Sequence, residues 1–377
     1  MASRIFDIPR PRVEVLGRSL CAFKLCGFTG LAVAVAIATL VAVRTALRGE
    51  VILLLALAAV ATFLALAYLT KVFLGKERLV CYHHKVAIVA VAALLLRVLE
   101  RPVLSYLDVV LLGVGTVLAF GRLGCFMLGC CHGRPWDWGV AYRHEHAVTG
   151  FPRDLVGVRL FPIQLVEALW VSGTIAVGLW LVLGASPPGE ALAWYSMAYG
   201  IARFVIEFFR GDLERPVWLG SSEAQWTSGL LMSAVIALEA AGVLPVHLWH
   251  WILTGLVAVC LAASALASPN ERQLFTARHF HEIARVLRAV APATKDEDLH
   301  IANTSLGLCI STSAEAGRHR RQLALSLAGR PLSPKAAKRL ATLVGRLLAL
   351  PVSVVSASPR TEGLYHLRVD GEVSDAV

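Results

Sequence analysis

Charge is scarce in this chain. Asp, Glu, Lys and Arg make up 16% of its 377 residues, while 57% are hydrophobic. Mean hydropathy is +0.66. The apolar residues lie in long blocks before about residue 268. Blocks of that length exclude an ordinary soluble globule, which could not bury so many apolar residues in a row. A disulfide framework is also missing. Most of the 8 cysteines fall in apolar segments, where a free thiol behaves as a small hydrophobe. No Ala-x-Ala cleavage site follows the basic cluster Arg4, Arg10, Arg12, Arg18 and Lys24, so an uncleaved first helix is expected rather than a signal peptide. No basic stripe is interleaved with aromatics. The net charge of +10 therefore reads as the Lys/Arg bias of membrane proteins and not as a nucleic-acid surface. Nor is there an inverted repeat with paired broken helices, the mark of many transporters.

What is present is a series of membrane-length apolar runs, at about 20 residues per crossing. They cover roughly 27–44, 51–74, 86–99, 104–128, 164–184, 189–209, 224–242 and 246–268. The third is short, and the last two are parted only by Gly-Val-Leu-Pro, so seven and eight spans are both expected. A basic segment, 1–26, precedes them; 27–268 forms the transmembrane domain. Beyond Ser268 the charged residues return. Residues 271–290 have the period of an amphipathic helix, with Leu274, Phe280, Ile283 and Leu287 on one side. His300–Ser311, Gln322–Leu327 and Leu364–Val369 alternate like strands. Ser333-Pro334 opens a helix as N-cap and first residue. The expected fold is an all-α polytopic membrane protein with a small soluble α+β C-terminal domain, 270–377, of unassigned role.

Two arginines interrupt the apolar runs. Arg122 lies in Gly121-Arg122-Leu123-Gly124, and Arg203 in Tyr199-Gly200-Ile201-Ala202-Arg203-Phe204-Val205-Ile206-Glu207-Phe208-Phe209-Arg210. A charge at membrane depth costs several kcal/mol and faces a polar cavity. Spacings of four, four and three place Tyr199, Arg203, Glu207 and Arg210 on one helix face. Glu207 can neutralise Arg203 or Arg210. A structural salt bridge is the bland interpretation. The sharper one is a phosphate, whose oxygens suit the guanidinium fork. Gln164 and Glu167 share a face at the start of the fifth run, and inter-helix hydrogen bonding is their plainest role. Cys125, Cys130, Cys131 and His132 form C-x4-C-C-H. Without a second Cys/His pair they read as small residues in a tight turn between Gly129 and Gly133, and no metal is expected. Tyr82-His83-His84-Lys85, at a membrane boundary, offers a proton acceptor or mere interfacial residues. The long loop 129–163, with Trp136, Trp138, Tyr142, His144 and His146, should lie along one membrane face.

These motifs resemble the prolipoprotein diacylglyceryl transferase family. The family signature Gly-Arg-x-Gly-Asn-Phe-x-Asn-x-Glu-x-x-Gly is similar to Gly121 through Gly133, with Cys125, Leu128 and Cys130 where the family has Asn, Asn and Glu. A second block, Pro-Ser-Gln-Leu-Tyr-Glu-Ala, resembles Pro162-Ile163-Gln164-Leu165-Val166-Glu167-Ala168. A third, Tyr-Gly-x-x-Arg-Phe-x-x-Glu-Phe-Phe-Arg, resembles Tyr199 through Arg210, and the family's Gly-Gln segment looks like the one at Gln225. The likeness covers about 28–242 and leaves out the C-terminal domain. The family's Gly-Gly-Met-Ser-Phe-His-Gly-Gly loop is not recognisable; His83 or His84 falls where its histidine would.

The resemblance implies transfer of the diacylglyceryl group of phosphatidylglycerol to the lipobox cysteine of a preprolipoprotein, with no cofactor, at a bacterial inner membrane. It implies phosphate binding by Arg122, Arg203, Arg210, Gln164 and Gly133. It implies catalytic work by Tyr199 and by a base among His84, His83 and Glu207. The alternative is a degraded relative that binds anionic phospholipid and recruits partners through 270–377. Topology is expected two ways. The positive-inside rule puts loop 129–163 inside, because the loops near 185–189 and 243–246 carry almost no positive charge. The resemblance puts it outside. With eight spans the C-terminal domain would follow the loop; with seven it would lie opposite, and its basic residues favour the inside.

Overall fold

The computed structural model describes residues 9–74, 81–213, 216–266, 272–290, 300–314, 321–329, 331–357 and 363–369. Arg4 of the basic segment, the junction at 267–271 and the start of the expected 271–290 helix fall outside them.

The first described elements form a hairpin, β1 (Arg12–Val15) and β2 (Arg18–Cys21). Leu16 and Gly17 turn it with φ of 50° and 73°, the left-handed pair that matches strand twist in a two-residue loop. The hairpin was not visible in the basic composition of 1–26. Among the described residues, eight longer helices follow in the apolar region. They are α1 (Ala22–Arg44), α2 (Gly49–Leu74), α3 (Cys81–Val98), α4 (Val103–Leu128), α6 (Ile163–Leu183), α7 (Glu190–Ile206), α8 (Glu223–Ala240) and α9 (Leu248–Leu266), with the short α5 (His144–Val148) between α4 and α6. Of these, α1, α2, α4, α6 and α9 are long and apolar enough to cross a membrane. The third helix is longer than the expected 86–99, starting at Cys81.

Helix α4 is the axis of the bundle. Half of its apolar window is buried, against 11% for α1, so α4 is the place where an arginine can be hidden from lipid. Close approach to α1 rests on small residues: a Cβ on Gly124 would meet the Phe23 ring at 2.8 Å. Gly129, at φ 79°, ends α4 in the left-handed conformation that terminates helices. The buried Asp108 of α4 caps α7, accepting from the backbone N–H of Gly189 at 2.8 Å and of Leu192 at 2.7 Å.

Two strands of the loop, β3 (Pro135–Ala141) and β4 (Arg159–Leu160), pair antiparallel, as do β5 (Val217–Trp218) and β6 (Ser221–Ser222). The C-terminal part is an antiparallel sheet of five strands in the order β10-β11-β9-β8-β7. These are β7 (His300–Asn303), β8 (Leu308–Ala314), β9 (Arg321–Leu327), β10 (Val352–Ala357) and β11 (Tyr365–Val369), with α10 (Ala277–Val290) and α11 (Pro334–Leu348) packed against them. The single strand expected over His300–Ser311 is two: Gly307, at φ 76°, folds the chain back on itself. Helix α11 starts as expected, the Ser333 hydroxyl accepting from Ala336 N–H at 3.2 Å.

The C-terminal part does not keep a core to itself. Leu274, Phe280, Ile283 and Leu287 of the expected apolar side are all buried, and they join one cluster with Tyr142, Phe151, Leu155 and Leu160 of the loop after α4. Loop and C-terminal part therefore lie on the same end of the bundle.

Candidate functional site

Three guanidinium groups meet beneath that loop. Arg122 comes from α4, Arg203 from α7, and Arg210 from the chain just past it; all three are buried. Between them stands Glu167 of α6, with no exposed surface. Its Oε2 lies 2.9 Å from Arg122 Nε and 3.7 Å from Arg210 Nη1. Its Oε1 accepts from the Tyr199 hydroxyl at 3.0 Å. Arg203 Nη2 lies 2.8 Å from Glu207 Oε2. Arg210 donates twice to Asp212, from Nε at 2.7 Å and Nη2 at 3.1 Å. Among the described residues, Arg203 Nη1 and Arg210 Nη1 have no hydrogen-bond acceptor.

This arrangement decides several expectations. Glu207 pairs with Arg203, not Arg210. The single helix face does not extend to Arg210: α7 stops at Ile206, tightens to a 3-10 turn over Glu207–Phe209, and Arg210 is extended at φ −71°, ψ 142°. Its backbone instead bridges to Gly133. The four residues converge all the same. Gly133 is a close-approach position, since a Cβ there would sit 2.3 Å from Phe161 O. Gln164 donates to Cys130 O at 2.9 Å and Tyr142 Oη at 3.3 Å, fixing the turn after α4 rather than reaching the arginines. Gln225 closes a reciprocal cap with Ser222 at the start of α8.

The two histidines part company. His84 is buried, its ring 4.8 Å from Phe63 of α2. His83 is largely exposed, 3.5 Å from Glu223. Their neighbour Lys85 reaches the cluster: its Nζ lies 3.5 Å from the Tyr199 ring centroid and donates to Tyr195 Oη at 3.4 Å. A cation over an aromatic face is attractive, and this contact ties the start of α3 to the arginine site. The sequence marked Glu167 only as an inter-helix hydrogen-bonding residue and gave Lys85 no role of its own. The signal for Glu167 was its spacing of three from Gln164; for Lys85 nothing but proximity to two histidines pointed the way.

The three sulfurs of Cys125, Cys130 and Cys131 lie within 4.8 Å of one another, beside Arg122 on the same helix end. Above them the C-terminal part closes over the loop. Arg134 donates to Arg210 O at 3.1 Å and to Phe275 O at 3.2 Å. The buried His281 of α10 contacts Gly211 O at 2.9 Å. Burial holds His281 down, at about 4, so it is neutral at pH 7. Arg346 of α11 grips Asp137 through two hydrogen bonds of 2.9 Å, and this hydrogen-bonded partner lowers the Asp137 carboxyl. Among the described residues, buried arginines exceed buried carboxylates here, with donors left over, which is the electrostatics of an anion site.

Comparison with known proteins identifies the family. The profile of the family described as prolipoprotein diacylglyceryl transferase matches residues 22–241. Among curated proteins, the phosphatidylglycerol–prolipoprotein diacylglyceryl transferase of Clostridium tetani is 32% identical over 110 residues, 29% of this chain and 43% of that protein. The one from Polaromonas naphthalenivorans is 31% identical over 162 residues, 41% of this chain and 51% of that protein. The second such protein of Clostridium perfringens is 29% identical over 140 residues, 36% and 51% of the two. The chain spans about half the length of the curated relatives it matches.

Proposed function

This chain belongs to the prolipoprotein diacylglyceryl transferase family, and on that premise we propose that it moves the diacylglyceryl group of phosphatidylglycerol onto the lipobox cysteine thiol of a preprolipoprotein. The observation that carries this is the buried arginine cluster with its spare donors, Arg203 Nη1 and Arg210 Nη1. A phosphodiester placed there would complete their hydrogen bonds. As the glyceryl C–O bond breaks, negative charge grows on the leaving glycerol phosphate, and preorganised guanidinium groups stabilise it. Glu167 sets the arginines' planes and Tyr199 fixes Glu167. The incoming nucleophile is the substrate's thiolate, and His84, His83 or Glu207 would take its proton. Glu207 is the weaker candidate because Arg203 holds its carboxylate at 2.8 Å.

A second reading keeps the phospholipid and drops turnover. It is favoured by Cys125, Leu128 and Cys130 standing where the family signature has Asn, Asn and Glu. A bacterial strain depleted of its own transferase separates the two. Growth and lipidation restored by this chain support the enzyme. Failure with normal membrane expression supports a lipid-binding relative.

The protein is multi-pass, and eight crossings fit it best. The loop after α4 and the part after α9 share a core, so the helices α6 to α9 between them must cross an even number of times. In this reading that end faces outward from the plasma membrane, as the resemblance implies, where lipoprotein precursors and lipid headgroups are both accessible.

A further inference from the structure

Two of the signature positions that differ from the family carry thiols. Cys125 and Cys130 replace an asparagine and a glutamate, and Cys131 follows. All three are free thiols. Helix α4 delivers Cys125, and the turn after it delivers the other two. Each Sγ lies within 4.8 Å of the others. Three thiolates at about 2.3 Å from one tetrahedral zinc ion have sulfurs roughly 3.8 Å apart, so rotations of the side chains alone bring these into range. A filler role for the turn explains less. Cys131 has φ 56°, a left-handed conformation disfavoured for a side chain with a Cβ. Glycine or asparagine would relieve that strain; a cysteine there holds its sulfur against the other two. The backbone is clamped as well, because Gln164 holds Cys130 O at 2.9 Å and Gly211 N–H donates to His132 O at 2.9 Å.

We propose that Cys125, Cys130 and Cys131 form a three-thiolate seat for a soft divalent cation of the zinc class, whose fourth position takes the incoming substrate thiol. Thiolate ligands select such cations, and three protein ligands with one position open is the pattern of catalytic rather than structural sites. Three thiolates around a dication leave one negative charge, and Arg210 and Arg122 act electrostatically on Cys131, offsetting it. The identity of the fourth ligand rests on the transfer reading above; the cation seat does not. In the step itself, the substrate thiol displaces a bound water and gives its proton to solvent or base. The cation-bound sulfur then attacks the glyceryl carbon. The C–S bond forms, the C–O bond breaks, and its electron pair stays on the glycerol phosphate oxygen, facing the arginines. The thioether product is neutral, a poor ligand, and yields its place to water. The cation keeps its oxidation state throughout.

The test uses the full chain purified in detergent under reducing conditions. Elemental analysis is expected to find about one zinc per chain, reduced at least about tenfold in the Cys130→Ser/Cys131→Ser double variant. Cobalt exchanged into the wild type should give an intense thiolate-to-metal absorption band. A lipobox peptide should shift the cobalt spectrum, and the same peptide with serine for cysteine should not. Should the serine variants fail to fold, protection of the wild-type thiols from alkylation by added zinc decides the matter. Wild-type protein that neither contains nor takes up zinc or cobalt, or whose three thiols are found as a disulfide, overturns the seat. A cobalt site blind to the cysteine peptide overturns the assignment of the fourth position. Arg122→Ala should keep its zinc, so loss of metal and loss of transfer report separately.

Discussion

Arg122 of α4 and Glu167 of α6 meet at 2.9 Å with both side chains closed to solvent. Glu167 also holds the Tyr199 hydroxyl and lies near Arg210, so one carboxylate of α6 sets the positions of groups from α4, α7 and the chain beyond. Removing either partner leaves a buried charge short of its counterion.

The first prediction follows from that pair. Arg122→Ala and Arg203→Ala should each lower lipidation of a reporter lipoprotein by at least about 100-fold, the scale of losing a preorganised charge donor. Arg122→Ala should also cost about 3–5 kcal/mol of stability, because Glu167 stays buried. Adding Glu167→Gln should recover part of the melting temperature and none of the lipidation. Arginine variants that lipidate normally would show that the cluster is only structural.

A second prediction separates contacts between the loop and the C-terminal part. In the Arg346–Asp137 clamp the Asp137 side chain is largely exposed, so Arg346→Ala should cost about 1 kcal/mol or less. Leu287, buried in the shared core, should cost about 2–5 kcal/mol when cut to alanine. Limited proteolysis checks it: Leu287→Ala should release a cleavable C-terminal fragment, while Arg346→Ala should not.

The third concerns acidity. His281 has its folded value at about 4 against about 6.5 unfolded. The unfolded state therefore binds more protons between those values, and stability, complete above about 6.5, is lost as pH falls toward 4. The integrated loss is about 3 kcal/mol. Burial also lowers His279, which adds to it with the same sign. Amide-exchange protection of α10 should drop between pH 7 and pH 4.5, and His281→Gln should flatten the drop. Equal protection at both pH values would contradict it.

The fourth is topological. Val148 in the loop is exposed, as is the Arg278 side chain on α10. Cysteines placed at these two positions should both react with a membrane-impermeant thiol reagent in spheroplasts. Reaction at one position alone would break the shared-face arrangement.

The sequence disclosed what local spacing encodes. The apolar runs marked the helices, the amphipathic period marked α10, Ser333-Pro334 marked the start of α11, and two stray arginines marked the site. Pairing across the chain was less accessible. Nothing local says that Glu207 takes Arg203 while Arg210 turns to Asp212, because the choice depends on where α7 ends. Nothing local brings Lys85 to Tyr199 or packs Tyr142 against the residues of α10. The short β10 lacked a clear alternation, and the Leu16-Gly17 turn hid in a stretch noted only for its charge. The cysteines were visible as a spacing, but their mutual distance is a product of the turn at Gly129.

The common core of the loop and the C-terminal part carries a consequence for biogenesis. Val369 is one of its buried members, and it is synthesised well after the loop and α9. The helices can be inserted long before then, but the ring of contacts above the arginines cannot close until the C-terminal strands have been made. A chain stopped after α9 would enter the bilayer with Tyr142, Phe151 and Leu155 uncovered, a hydrophobic surface of the kind chaperones and proteases act on. Closure over the site is thereby tied to synthesis of the part beyond α9.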